Sequence, residues 1–455
     1  MRFIGSGTRV SAILVAALLC ACGGNGNSSA PPGLPNGIHR ASSSGQIQHV
    51  VVLIQENRSF NNLFLGYPGA TTQSYGYDSL GEQVTLNPVP LEAKWDLEHD
   101  STAFFRSCDG TGKIPGTNCQ MNGFNREWLT CTKSESNPCP WKYSMYAYVP
   151  SSETKPYFDI AGQYVLADQM YASNFDESSF ISHQYIISAQ AESAVNYPLV
   201  LPWGCPGGPS DTITTLSLKR KLVLKDKKVV CWDPTTLGDE MDSAGISWAF
   251  YSSTIGTNSG EWNGYQAINH IYNGPDWNKD IFTSQNQFFT DVGNGNLRAV
   301  SWITPSFENS DHPASGYNTG PSWVASVINA IGESQYWNST AIFVFWDDSG
   351  GWYDPEPPPY ADYDGLGMRI PMLIVSAYAK QGYVSHVQYE HGSILKFIEQ
   401  NFGLAPLSAS DARANSPTDA FDFSAPPRQF TPIEGSYSLN YFLHQPPSRH
   451  PLDTN

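Results

Sequence analysis

Two unbroken apolar runs, far apart in the chain, each end in adjacent oxygen-bearing side chains. The first passes through Val50, Val51, Val52, Leu53 and Ile54 into Gln55, Glu56, Asn57, Arg58, Ser59 and Phe60. The second passes from Ala341 through Ile342, Phe343, Val344, Phe345 and Trp346 into Asp347 and Asp348. Such runs read as buried strands of an α/β sheet, and in an open sheet of that kind ligands bind outside the carboxyl ends of the strands. Asp347 beside Asp348 is electrostatically costly unless a cation neutralises the pair. Glu56 and the amide oxygen of Asn57 are hard donors of the same kind, which favours Mg, Ca or Mn. The competing reading makes Glu56 and Asn57 caps of the next turn and the Asp pair a solvated loop.

Further segments alternate between helix and strand. Helices are expected over 180–193, 236–243, 322–331 and 393–401, the last ended by Gly403. Strands are expected over 246–251, 298–303, 341–346 and 370–375, with Pro371 tolerable only near a strand start or on an edge. The alternation predicts a largely parallel sheet covered on both faces. Residues 66–150, rich in Gly, Pro, Asn and Cys, read as long ordered loops.

The first residues read as an export signal. Arg2 and Arg9 flank an apolar stretch over 10–19 that is too short to span a bilayer comfortably. It ends at Leu19, Cys20, Ala21 and Cys22, which resembles a lipobox with Cys22 lipidated, although Cys20 stands where Ala or Ser is usual. The expected organisation is a signal segment over 1–22, a flexible tether over 23–45 and a catalytic domain over 46–445. The expected location is the periplasm or outer membrane as a lipoprotein, or the medium as a secreted protein. Export favours disulfides for the remaining cysteines, and local pairs are expected: Cys108–Cys119, Cys131–Cys139 and Cys205–Cys231. With 42 acidic against 25 basic residues and a net charge of -17, nucleic acid is excluded as a partner.

Ser178, Ser179 and Ser182 precede or open an apolar helical run, where a serine serves either as a cap or as a nucleophile facing an anion at the helix N-terminus. His99, His270 and His312 sit in polar, loop-like settings from which each could protonate a leaving group, or simply be structural. No Gly-x-Ser-x-Gly elbow or P-loop is present.

Taken in order, the motifs resemble the bacterial phosphoesterase family of phospholipases C and Francisella-type acid phosphatases, in the alkaline-phosphatase-like superfamily. They comprise residues 56–60, 96–99, 121–124, 179–184, 310–313, 345–351, 369–371 and 421–430. The resemblance implies an α/β fold with a mostly parallel central sheet flanked by helices and long disulfide-stapled loops. It implies one divalent metal ion held by Glu56, Asn57, Asp347, Asp348 and the nucleophile, which falls on Ser179. His99, His270 and His312 would line the phosphate pocket. The family usually has two glycines before the nucleophile; here Glu177 and Ser178 stand there, so Ser178 and Ser182 remain alternatives. The expected activity is phosphomonoester hydrolysis through a phospho-serine. The alternative is a phospholipase C acting on phospholipid, and a third reading is a non-catalytic binding lipoprotein. A sulfatase would need a Cys/Ser-x-Pro-x-Arg context, which is absent.

Overall fold

The computed structural model describes residues 45–131, 139–446 and 448. The expected signal segment, Cys22 and all but the last residue of the tether lie outside the described residues.

Nine strands form the central sheet: β1 (His49–Gln55), β2 (Val165–Tyr171), β3 (Trp248–Tyr251), β4 (Ile281–Phe282), β5 (Val300–Ile303), β6 (Thr340–Trp346), β7 (Arg369–Ser376), β8 (Tyr383–Ser385) and β9 (Tyr389–Glu390). Their order is β4-β3-β5-β1-β6-β7-β2-β8, with β9 also paired to β2. All pairings are parallel except those of β7, which runs antiparallel to both β6 and β2. From Val50 to Ile54 every side chain of β1 is buried, and so is every residue of β6. Successive strand residues point to opposite faces, so burial of all of them means that both faces are covered.

The helices that matter for the site are α1 (Phe60–Phe64), α2 (Ser101–Cys108), α3 (Lys155–Gln163), α4 (Ser179–Ser188), α5 (Leu237–Ala244), α6 (Gly320–Gly332) and α7 (His391–Phe402). α3 packs against α6, and α7 against α4. Among the described residues no helix is long and apolar enough to cross a membrane.

Several expectations shift by a few residues. α4 begins where the apolar run begins but stops at Ser188, because Ala189 adopts a left-handed backbone (φ 58°) and residues 194–195 leave to pair with a short hairpin. α7 ends at Gly403, whose φ of 75° needs a residue without a Cβ. Pro371 takes the first of its expected settings: it is the third residue of β7, near the strand start, and although β7 is internal to the sheet it sits where the pairing with β2 slips between Ile370 and Met372. That bulge spares the ladder hydrogen bond a proline lacks. β2 went unforeseen. Asp168 interrupts its apolar pattern, yet the carboxylate is buried and paired with Thr71 N (2.9 Å) and His386 Nδ1 (2.8 Å).

All three disulfides are the local pairs expected, Cys108–Cys119, Cys131–Cys139 and Cys205–Cys231. The first ties the end of α2 to the loop beyond it. α2 is capped by Asp100, which accepts from Thr102 N and Ala103 N and so fixes the backbone next to His99.

Candidate active site

The register between β1 and β6 builds the centre. Gln55 pairs with Trp346 on adjacent parallel strands, so Glu56 and Asp347 leave the sheet side by side. Asp347 N donates to Gln55 O (3.0 Å), and Asn57 N to Asp347 Oδ1 (3.3 Å). Asn57 takes a left-handed backbone (φ 59°), a conformation Asn tolerates better than most residues. After Asp348 the chain turns through Gly350, also at positive φ (59°). A Cβ there would lie 2.2 Å from Asn57 O, so only glycine lets the two loops approach. Gly350 N donates to Asp348 Oδ1 (2.7 Å).

Ser179 is the first residue of α4. Its hydroxyl lies 3.4 Å from Glu56 Oε2, 3.4 Å from Asp348 Oδ2 and 3.4 Å from Asn57 Nδ2. The N-cap residue, Ser178, makes no side-chain cap. Its hydroxyl donates instead to Asp176 Oδ2 (2.6 Å) and Asn196 O (3.1 Å). The first N–H groups of α4 are therefore left for an anion, reinforced by the helix dipole. Ser182 is buried one turn along, and its hydroxyl has no hydrogen-bond partner.

Asn57 is the hub. Its Nδ2 donates to His99 Nε2 (2.9 Å) and Asp348 Oδ2 (3.2 Å), while its Oδ1 is buried without a hydrogen-bond partner. His99 Nδ1 lies 2.6 Å from Leu97 O, which can only accept, so the proton sits on Nδ1 and Nε2 offers its lone pair inward. His312 is fixed likewise by Pro313 O (2.5 Å), and its ring centroid lies 6.1 Å from that of His99. The sequence thus named Glu56, Asn57, His99, Ser179, His312, Asp347 and Asp348, and these converge. His270 does not join them. It lies on a short helix, partly exposed, clamped between Asp233 Oδ1 (2.5 Å) and Asp239 Oδ1 (2.8 Å).

His183, inside the 179–184 motif, also joins the centre. Its Nε2 lies 2.9 Å from Glu56 Oε1 and 3.8 Å from Asp347 Oδ2. It stands four residues after Ser179 on the same helix, and that spacing puts both on one face. Glu56, His183 and Asp347 bring ligand atoms within 4.8 Å of one another. Burial lowers the His183 pKa to about 4, so the imidazole is neutral and able to ligate.

The electrostatics point the same way. Burial first, and the neighbouring Asp347 charge second, push the Asp348 carboxyl well above the usual carboxylate range. Burial also raises Glu177 to about 8. Three wholly buried carboxylates, an amide oxygen without a partner, a hydroxyl and a neutral imidazole fit a divalent cation.

Glu177 accounts for the missing glycine before Ser179. It adopts φ 60°, the region that favours glycine, and its carboxylate is anchored by Ser349 Oγ (2.6 Å) and Met368 N (2.5 Å).

The chain is 25% identical over 443 residues to phospholipase C B of Mycobacterium tuberculosis, covering 85% of this chain and 80% of that one. It is 24% identical over 464 residues to the non-hemolytic phospholipase C of Burkholderia pseudomallei, covering 85% and 60% respectively. Among solved structures, an alkaline phosphatase superfamily protein from Vibrio parahaemolyticus aligns over 83% of this chain and 72% of its own, at 11% identity and a TM-score of 0.38. The model of the phosphoesterase family matches residues 47–405. The chain therefore belongs to the phosphoesterase family, hydrolases that act on phosphoester bonds.

Proposed function

We propose that this chain is a metal-dependent phosphoric ester hydrolase in which Ser179 is the nucleophile, and that its first substrates are phosphomonoesters. One observation carries the reading: the Ser179 hydroxyl stands at an uncapped helix N-terminus, 3.4 Å from each of two carboxylates that come from distant strand ends.

Ser179 Oγ attacks phosphorus, and its proton passes to the nearby Glu56 or Asp348 oxygen. The N–H groups of the first turn of α4 receive the phosphoryl oxygens. A divalent cation held by Glu56, Asn57, Asp347, Asp348 and Ser179 would supply charge neutralisation and a lower hydroxyl pKa. His312, protonated at Nε2, gives its proton to the departing alkoxide, while His99, whose Nε2 accepts from Asn57, holds that amide in place. The neutral imidazole then takes a proton from the water that attacks the phospho-serine; the P–Oγ bond breaks, the proton held by Glu56 or Asp348 returns to Ser179 Oγ, and phosphate leaves.

Burial supports the monoester. Glu56, Asn57, Ser179 and Asp348 are each 0% exposed, and a terminal phosphoryl group enters such a site more easily than a doubly substituted one. The phospholipase C relatives favour a second reading, a phosphodiesterase acting on phospholipid headgroups. Turnover of p-nitrophenyl phosphate beside phosphatidylcholine separates the two; action on the phospholipid alone reverses the order. Retention of every donor argues against a merely binding protein.

Ser179→Ala is expected to lower turnover by about 10³-fold or more with unchanged folding, while Ser178→Ala stays within about tenfold of wild type. Acid-quenched protein should carry phosphate on Ser179 by mass spectrometry. Wild-type turnover in Ser179→Ala would refute the assignment.

A further inference from the structure

A second cleft lies on the same edge of the sheet. β5 is parallel to β1, β3 to β5 and β4 to β3, so the loops leaving these strands emerge on the edge where β1 delivers Glu56. Those loops and a C-terminal strap carrying Phe442, Gln445, Pro446 and Ser448 line a cleft of about 230 Å³. β3 stands two strands from β1, about 10 Å along the edge at the usual strand spacing.

Its lining mixes hydroxyl and amide side chains with the apolar surfaces of Trp323, Phe442 and Pro446. Ser253 and Thr257 come from the loop after β3, Gln285 from the loop after β4, Ser306 from the loop after β5 and Gln445 from the strap. Trp323 contributes apolar surface. Among the described residues none of the lining side chains is charged, in a chain with 42 acidic and 25 basic residues. Hydroxyls and primary amides both donate and accept, which matches ligand hydroxyl groups. Among the described residues the lining has no carboxylate for an ammonium group and no Lys or Arg for a second phosphate. Ser306 Oγ is buried without a hydrogen-bond partner.

One loop connects the cleft to the catalytic centre. The loop after β5 carries Asn309 into the cleft and His312 into the site. Gln55, next to Glu56, donates from Nε2 to Asn309 O (3.1 Å) and accepts at Oε1 from Asp311 N (3.1 Å). Trp262, from the loop after β3, lies nearly parallel to His312 with ring centroids 6.2 Å apart and an interplanar angle of 17°.

We propose that this cleft receives the alcohol portion of the ester and selects an uncharged, polyhydroxylated one, a sugar or a polyol. The proposal rests on the phosphoester-hydrolase reading. It sets the substrate class: the phosphoryl group sits at Ser179 and the hydroxylated ring lies against the Ser, Thr and Gln side chains.

The test uses the full chain. Turnover is measured on myo-inositol 1-phosphate, choline phosphate and p-nitrophenyl phosphate, and on phosphatidylinositol and phosphatidylcholine in detergent micelles. Binding of free myo-inositol is followed by saturation-transfer NMR. The polyol ester should be preferred over the choline ester by about tenfold or more, and free myo-inositol should bind. In Thr257→Val combined with Gln285→Leu, KM for the polyol ester should rise about tenfold through lost hydrogen bonds, with kcat steady. Aryl phosphate turnover in that variant should stay within about twofold of wild type, because neither residue touches the phosphoryl site. Preference in the soluble arm names a free polyol phosphate, and preference only in micelles names a lipid headgroup; both support the cleft. Active enzyme without a polyol preference, or a variant that shifts every substrate alike, overturns it. Absence of aryl phosphate turnover would sink the hydrolase reading instead, and myo-inositol binding would still decide the cleft.

Discussion

At the scale of single residues, the centre depends on backbone conformations that most side chains avoid. Asn57, Glu177 and Gly350 all lie at positive φ around Ser179, and the two non-glycines are each held there by contacts. Strain of this kind costs about 1–3 kcal/mol per residue and persists where the surroundings impose it. Gly350 has no such freedom to trade, since a Cβ would meet Asn57 O at 2.2 Å. Gly350→Ala is expected to lower stability by about 1–3 kcal/mol and to displace Asn57 from Ser179. Urea unfolding should show the modest loss, and turnover should fall by about 10²-fold, because a misplacement of about 1 Å is that costly in a preorganised site. A variant with full turnover would show that the close approach is unnecessary.

At the scale of elements, α7 meets the short helix Ala409–Arg413 through a pair of carboxyl groups. Asp411 caps that helix, accepting from Ser408 N (2.9 Å) and Ala412 N (2.7 Å). Burial first, then the hydrogen bond to Asp411, push Glu399 on α7 up to about 9. A carboxyl raised in the folded state favours folding fully below its unfolded value of about 4.5. That contribution is lost as pH climbs toward the folded value of about 9. Glu399→Gln keeps the packing and removes the titration. Its Tm should therefore gain on wild type steadily from pH 5 to pH 9, and a pH-independent difference would contradict the shared proton.

At the scale of the whole molecule, residues 56, 183 and 347 meet only because the sheet brings β1 beside β6 and packs α4 over their ends. Their carboxylates repel one another unless a cation neutralises them. Chelation should lower both turnover and Tm. Restoring a divalent cation at about 100 times its dissociation constant should return on the order of 2.7 kcal/mol. The order in which Mg, Ca, Mn and Zn restore Tm, read by calorimetry, reports how far the His183 nitrogen shifts the site from hard oxygen chemistry. No change in Tm on chelation would remove the cation from the account.

The linear sequence by itself determined the buried strands β1 and β6, the polar residues at their ends, the end of α7 at Gly403 and the three local disulfides. Each is written in near neighbours: continuous apolarity, a turn-forming glycine, cysteines a short loop apart. Only the tertiary structure decided which groups face one another. His183 became part of the centre because one helical turn from Ser179 faces Glu56, whereas His270, in an equally polar setting, turned to Asp233 and Asp239. The burial of Asp168 in β2 and the bulge at Pro371 in β7 are not legible locally, for one reason. A buried charge that finds a distant partner and a proline that falls on a bulge are satisfied by residues about 200 positions away, and no local pattern records such pairing.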